Sequence, residues 1–135
     1  MGINGELDAS RRRLVWEKLM LLSNQFDAPW LCAGDYNEVL FQHVKTGGDR
    51  PQWQMEDFRR TLEQCDLCDL GYSGSKYTWC NRRQGPHTVS ARLDRACGNS
   101  RWVSYFPNSI VSTLPTPYSD HSILIVQWEL TARSL

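Results

Sequence analysis

The chain has 135 residues, 41% hydrophobic and 22% charged, with 15 basic and 15 acidic side chains and no formal net charge. That length suits one domain with its own core, and the apolar share excludes a disordered chain. Zero net charge excludes a whole-surface basic field for nucleic acid, and no apolar run reaches the roughly 20 residues that span a bilayer.

The opening MGINGELDASRRR has no signal-peptide apolar run, and residues 1–10 read as mobile. Ser10 is a candidate N-cap for an amphipathic helix over 11–23, with Val15, Leu19, Leu22 and Phe26 at helical spacing. APWLCAG (28–34) reads as a short strand buried on both faces. VKTGGDRP is a loop in which Gly47 and Gly48 give freedom and Pro51 suits a helix start. Met55, Phe58, Leu62 and Cys65 then mark a second helix over about 52–64.

After residue 64 the pattern turns to strands. SKYTWCN (75–81) is aromatic and β-branched, and VSARLDRAC (89–97) is its expected hairpin partner across the turn RQGPHT. RWVSYF (101–106) is a one-turn helix closed by Pro107, and SIVSTL (109–114) is a strand. In SILIVQWEL (122–130), Leu124, Val126, Trp128 and Leu130 alternate against Gln127 and Glu129. The order predicts a mixed α/β (α+β) fold, a single layer of mostly antiparallel strands with both long helices on one face.

The five cysteines are scattered. Cys65 and Cys68 form a CxxC without the second pair a structural zinc site needs, so reduced thiols in an intracellular protein, nuclear or cytoplasmic, are expected.

Polar groups interrupt three strand ends: Asp35 and Asn37 after the first strand, Asp94 in RLDRA, and Asp120–His121 in YSDHSILIV. Each has an ordinary reading as a turn or a paired strand acid. Together they form the set that phosphodiester hydrolysis requires. Carboxylates suit Mg²⁺, a His held by a carboxylate moves a proton or donates to phosphate, and an Asn amide donates to a phosphate oxygen.

GDYNEVL, FRRTLEQCDLCDLGYSGSKYTWCNRR, RLDRA, W…FP and SDHSIL resemble, in order and spacing, the endonuclease/exonuclease/phosphatase superfamily, and most nearly the endonuclease domain of plant LINE-type retrotransposons. The resemblance runs from about Arg11 to Leu130. It implies part of a four-layered α/β sandwich, Mg²⁺ as cofactor and DNA as a partner. Carried over by motif, Asp35 activates water, Asn37 bonds the scissile phosphate, and Asp120 joins Asp35 at the metal. His121 stabilises the phosphate, and Asp94 fixes its ring. Trp79 and Asn81 would line the substrate cleft, core packing being the other reading of Trp79. Arg82, Arg83, Arg92 and Arg95 would contact DNA backbone or stand as solvated charges.

The chain matches only the C-terminal half of that domain. An Asn on the first strand and the metal-ligand Glu are missing, and Asn4 stands where the family has its active-site Tyr. Glu38 is too close to Asp35 to replace the Glu, and Glu6 lies in the mobile-looking N-terminus. The resemblance therefore implies a truncated single domain over 1–135, inactive alone, with an apolar sheet face left for a partner or for self-association. The other readings are a non-catalytic remnant that binds nucleic acid or protein, and a phosphatase of the same superfamily.

Overall fold

The computed structural model describes residues 1–25, 27–81 and 85–129. Strand β1 (Gly2–Asn4), helix α1 (Ala9–Ser23), β2 (Leu31–Asp35) and α2 (Gln52–Gln64) form the first half. Short strands β3 (Cys68–Asp69), β4 (Ser73–Gly74), β5 (Trp79–Cys80) and β6 (Ser90–Ala91) follow. Strand β7 (Asp94–Gly98), α3 (Ser100–Tyr105), β8 (Ile110–Leu114) and β9 (Ile123–Gln127) complete the order. The class is mixed α and β, as the sequence predicts.

The single layer gives way to three sheets: β1-β2-β7-β3, β4-β8-β9 and β5-β6. The β2–β7, β3–β7, β5–β6 and β8–β9 pairs are antiparallel, whereas β1–β2 and β4–β8 are parallel. Both long helices pack on one face of the first sheet. Trp16 and Leu19 of α1, with Phe58 and Leu62 of α2, close over Cys32, Tyr36 and Cys97. Trp16 and Phe58 stack with ring centroids 4.9 Å apart.

Helix α1 starts two residues earlier than predicted. Its N-cap is Asp8, whose carboxylate accepts from the backbone N–H of Ser10 at 2.9 Å and from its hydroxyl at 2.6 Å. Those bonds lower the pKa of Asp8. The buried face is Arg12, Trp16 and Leu19, with Val15 and Leu22 only partly buried against the core, and Phe26 lies outside the described residues. The buried face of α2 matches its periodicity: Met55, Phe58, Leu62 and Cys65 are all buried.

Residues 1–10, read from the sequence as mobile, carry β1 and the start of α1. The terminal amine donates to Leu31 O at 2.7 Å, and Gly5 N donates to Asp35 O at 2.6 Å. This approach needs Gly34, whose φ of 141° lies outside the usual range of L side chains and whose Cβ, if present, would run into the Ile3 carbonyl. Arg12 completes the tie. Its buried guanidinium donates to the carbonyls of Glu6 and Leu7, both at 2.8 Å, and to Glu38, a carboxylate only 1% exposed.

The expected strand over 75–81 shrinks to Trp79–Cys80, and the 89–97 segment divides. Ala91 pairs with Trp79 as a hairpin, and from Asp94 the chain turns to pair with β2 and β3 instead. Thr78 holds the division: its hydroxyl oxygen accepts from the backbone N–H groups of both Leu93 and Asp94 at 2.9 Å.

In the second sheet, Val111 and Thr113 point inward and are buried. The opposite face carries Ile110, Leu114, Ile123 and Ile125, all exposed, with Ile110 54% accessible. Register places Leu114 opposite Ile123. Trp128 is half exposed, edge-on to Trp102, and Leu130 falls outside the described residues. Among the described residues no disulfide joins any two of the five cysteines. Among the described residues no helix is long and apolar enough to cross a membrane.

Candidate active site

Antiparallel pairing sets Asp35, the last residue of β2, directly opposite Asp94, the first of β7. Directly opposed residues share a face, so both acids lie together, away from the helices. His121 comes from the segment before β9, tied down by a bridge to Trp79 and by Ser122 N donating to Thr78 O at 2.7 Å. Its Nδ1 lies 2.7 Å from Oδ2 of Asp94 and its Nε2 3.6 Å from Oδ2 of Asp35. Thr78 is thus the pivot of the site. It anchors the backbone beside Asp94 through its hydroxyl and that beside His121 through its carbonyl. In SKYTWCN this Thr reads only as a β-branched strand residue, and nothing local signals the two anchoring bonds.

Burial raises the pKa of Asp35, the neighbouring Asp94 charge raises it further, and the N–H of Asn37 and the charge of His121 oppose the rise. That N–H donates to Asp35 Oδ1 at 2.8 Å, a local turn in which Asn37 adopts φ 55°, a conformation Asn tolerates better than most residues. The Asn37 side-chain amide donates to the carbonyl of Gly5. A cleft of about 290 Å³ opens here, lined by Asn4, Glu6, Asp35, Asn37 and His121. The Arg12 bonds to residues 6 and 7 fix its N-terminal rim.

The structure therefore brings Asp35, Asn37, Asp94 and His121 together. Asp120 is exposed and stands outside the Asp35–Asp94–His121 cluster; it lines a neighbouring cleft of about 220 Å³ with Trp79 and His121. Trp79 packs against the Val39–Met55–Leu93 core and also borders that neighbouring cleft. Asn81 closes the β5–β6 connection: its amide donates to His87 O at 2.8 Å and its oxygen accepts from Val89 N at 3.0 Å.

Arg92 and Arg95 depart from a DNA-facing position, being 3% and 1% exposed. Arg95 donates to the carbonyls of Arg92 and Glu38 at 2.6 and 3.0 Å, and its charge is matched by Asp69 at 3.4 Å. Interior partners of this kind have no trace in local sequence, which is why RLDRA read as a surface motif. Arg82 and Arg83 lie outside the described residues. Glu38 is held by Arg12 and Arg50. Glu6, by contrast, lines the Asp35 cleft.

A carboxylate on Nδ1 orients the imidazole and leaves Nε2 for chemistry on the Asp35 side. One oxygen each from Asp35 and Asp94 and one nitrogen of His121 lie within 4.8 Å of one another, a set that could hold a metal ion. Paired carboxylates suit a hard cation, and a cation would offset both the burial and the neighbouring Asp94 charge that raise the Asp35 pKa. No protein-family model matches the chain, and comparison with curated proteins finds no match.

Proposed function

We propose that this chain is part of a Mg²⁺-dependent phosphodiesterase, a DNA endonuclease-like domain of the endonuclease/exonuclease/phosphatase type and of retrotransposon origin. The observation that carries the reading is the His121–Asp94 pair at 2.7 Å set against Asp35. Hydrolysis of a phosphodiester needs a group that moves a proton and groups that gather charge around the phosphate, and these three residues supply both. Asp35 and Asp94 would hold the ion, which when bound would neutralise phosphate charge. Asp35 orients the attacking water, Asp94 sets the His121 tautomer, and His121 Nε2 faces the phosphate. Asn37 lines the same cleft, its amide donating to the Gly5 carbonyl, and would donate to a phosphate oxygen only on leaving that carbonyl.

The exposed Ile110–Leu114–Ile123–Ile125 face supports a sandwich in which a further sheet covers β8 and β9. Without that layer, and with two carboxylates where the resemblance implies a further Glu, residues 1–135 alone are inactive. Mg²⁺ demands near-ideal octahedral oxygen ligation, and ~1 Å of misplacement can cost ~10²-fold in rate. Purified chain is expected to show no Mg²⁺-dependent nicking of supercoiled plasmid above an Asp35→Ala, His121→Ala control, weak Mg²⁺ binding by calorimetry, and self-association. Nicking abolished by EDTA and by His121→Ala would show instead that another residue of this chain supplies the extra ligand, with Glu6, which lines the Asp35 cleft, the first to test.

A further inference from the structure

A third cavity, of about 300 Å³, shares no lining residue with the Asp35 cleft. Leu40, Phe41, Val44 and Tyr72 supply its apolar wall, and Arg92 and Arg95 line it as well. Arg92 is 3% exposed, yet Nη1 and Nη2 of its guanidinium donate to no partner, and neither does Nε of Arg95. The Tyr72 ring lies over the Arg92 guanidinium at 3.7 Å and is itself 42% exposed. Three buried N–H-bearing nitrogens without acceptors are costly, because a desolvated cation needs both counter-charge and hydrogen bonds. Arg95 draws on Asp69 and two carbonyls. Arg92 has the Tyr72 ring and feels the charges of Asp69 and Asp94, but among the described residues no acceptor meets its two terminal nitrogens.

We propose that this cavity binds a small organic monocarboxylate with an apolar body. The two terminal nitrogens of a guanidinium match the two oxygens of a carboxylate as a fork. A phosphate would bring no apolar surface to Leu40, Phe41 and Val44. The volume sits at the lower end of small-molecule sites, roughly 300–1,000 Å³, which suits one ring or a short chain and excludes a nucleotide. Tyr72, exposed and stacked over the guanidinium, is the side chain that turns to admit the ligand.

The test is a titration of ¹⁵N-labelled chain with sodium benzoate, in parallel with neutral benzamide and with inorganic phosphate. Benzoate is expected to saturate in the millimolar range, to shift the Arg92 Nε–Hε resonance, and to give nuclear Overhauser contacts from its ring to Val44 and Tyr72. Benzamide and phosphate should each bind at least ~10-fold more weakly, as should benzoate to Arg92→Lys, which keeps the charge and loses the fork. Should Arg92→Lys fail to fold, the Overhauser contacts and the benzamide comparison in the unaltered chain decide the matter. Equal affinity for benzoate and benzamide, equal affinity for phosphate, contacts elsewhere on the surface, or no saturable shift would each overturn the proposal.

Discussion

Glu38 and Asp35 follow the same strand three residues apart, and their carboxylates meet opposite surroundings. Glu38 is 1% exposed and sits between Arg12 and Arg50, with one oxygen also accepting from Val39 N at 2.9 Å. Asp35 is partly exposed, faces a second acid and a histidine, and has its pKa raised by burial and by that acid. One carboxylate is surrounded by opposite charge and holds the chain in place. The other is held protonated to higher pH by burial and by its neighbouring acid, an imbalance that the Asn37 N–H and the His121 charge offset only in part. Unbalanced charge beside a cleft is what chemistry requires, and balanced charge in the interior is what a scaffold requires.

The largest expected effect breaks the Glu38 side of the comparison. Glu38→Ala leaves the Arg12 guanidinium buried without its carboxylate and should cost about 3–5 kcal/mol in urea unfolding, enough to threaten the fold. Replacing both partners, as Arg12→Met with Glu38→Leu, should recover much of that loss. A cost below ~1 kcal/mol for Glu38→Ala would mean that the pair does not hold the N-terminal segment.

A smaller effect is expected at the joint between the two regions. Thr78→Val keeps the shape and removes the acceptor for Leu93 N and Asp94 N, so stability should fall by about 1–3 kcal/mol. The His121 ring should also lose its fixed orientation, which a broadened or shifted imidazole signal would reveal. Unchanged His121 signals in a folded Thr78→Val chain would remove Thr78 from the account of the site.

The smallest effect sharpens the Asp35 side. Its pKa is raised in the folded state, so the folded chain holds the proton to higher pH than the unfolded chain. Stability contributed by that group is therefore lost as pH rises from the unfolded value, about 3.9, through the raised one. Asp35→Asn should match the unaltered chain below that window and equal or exceed it in stability at pH 7. An Asp35→Asn chain less stable at pH 7 than at pH 3 relative to the unaltered protein would contradict the electrostatic reading.

Much of this was legible in local patterns. Helical spacing gave α2 residue by residue, because Met55, Phe58, Leu62 and Cys65 all face one core. The strand ends at Asp35, Asp94 and His121 were visible as polar interruptions of apolar runs, and the resemblance supplied the idea that they meet. What was illegible depends on distant partners. β1 exists because Gly34 lets it approach β2, and Arg12 pins the residues between β1 and α1. Arg92 and Arg95 go inside because carbonyls, Asp69 and Tyr72 wait there. A charged side chain is read as exposed unless its partner is known, and those partners stand far away in sequence. The division of 89–97 between two sheets was hidden for the same reason, since alternation looks alike on either side of Leu93. Asp120 shares a motif with His121 and lines the neighbouring cleft with it, outside the Asp35–Asp94–His121 cluster.

The central claim is that Asp35, Asp94 and His121 act together on a phosphodiester once the uncovered sheet is completed. It is tested most directly by joining this chain to the N-terminal half of a relative from the resembled family and measuring Mg²⁺-dependent nicking of supercoiled plasmid. His121→Ala should lower the rate by about 10²–10⁴-fold or more, with Asp94→Asn losing less because it disturbs only the orientation of the ring. Equal nicking by the unaltered and His121→Ala proteins would contradict the assignment.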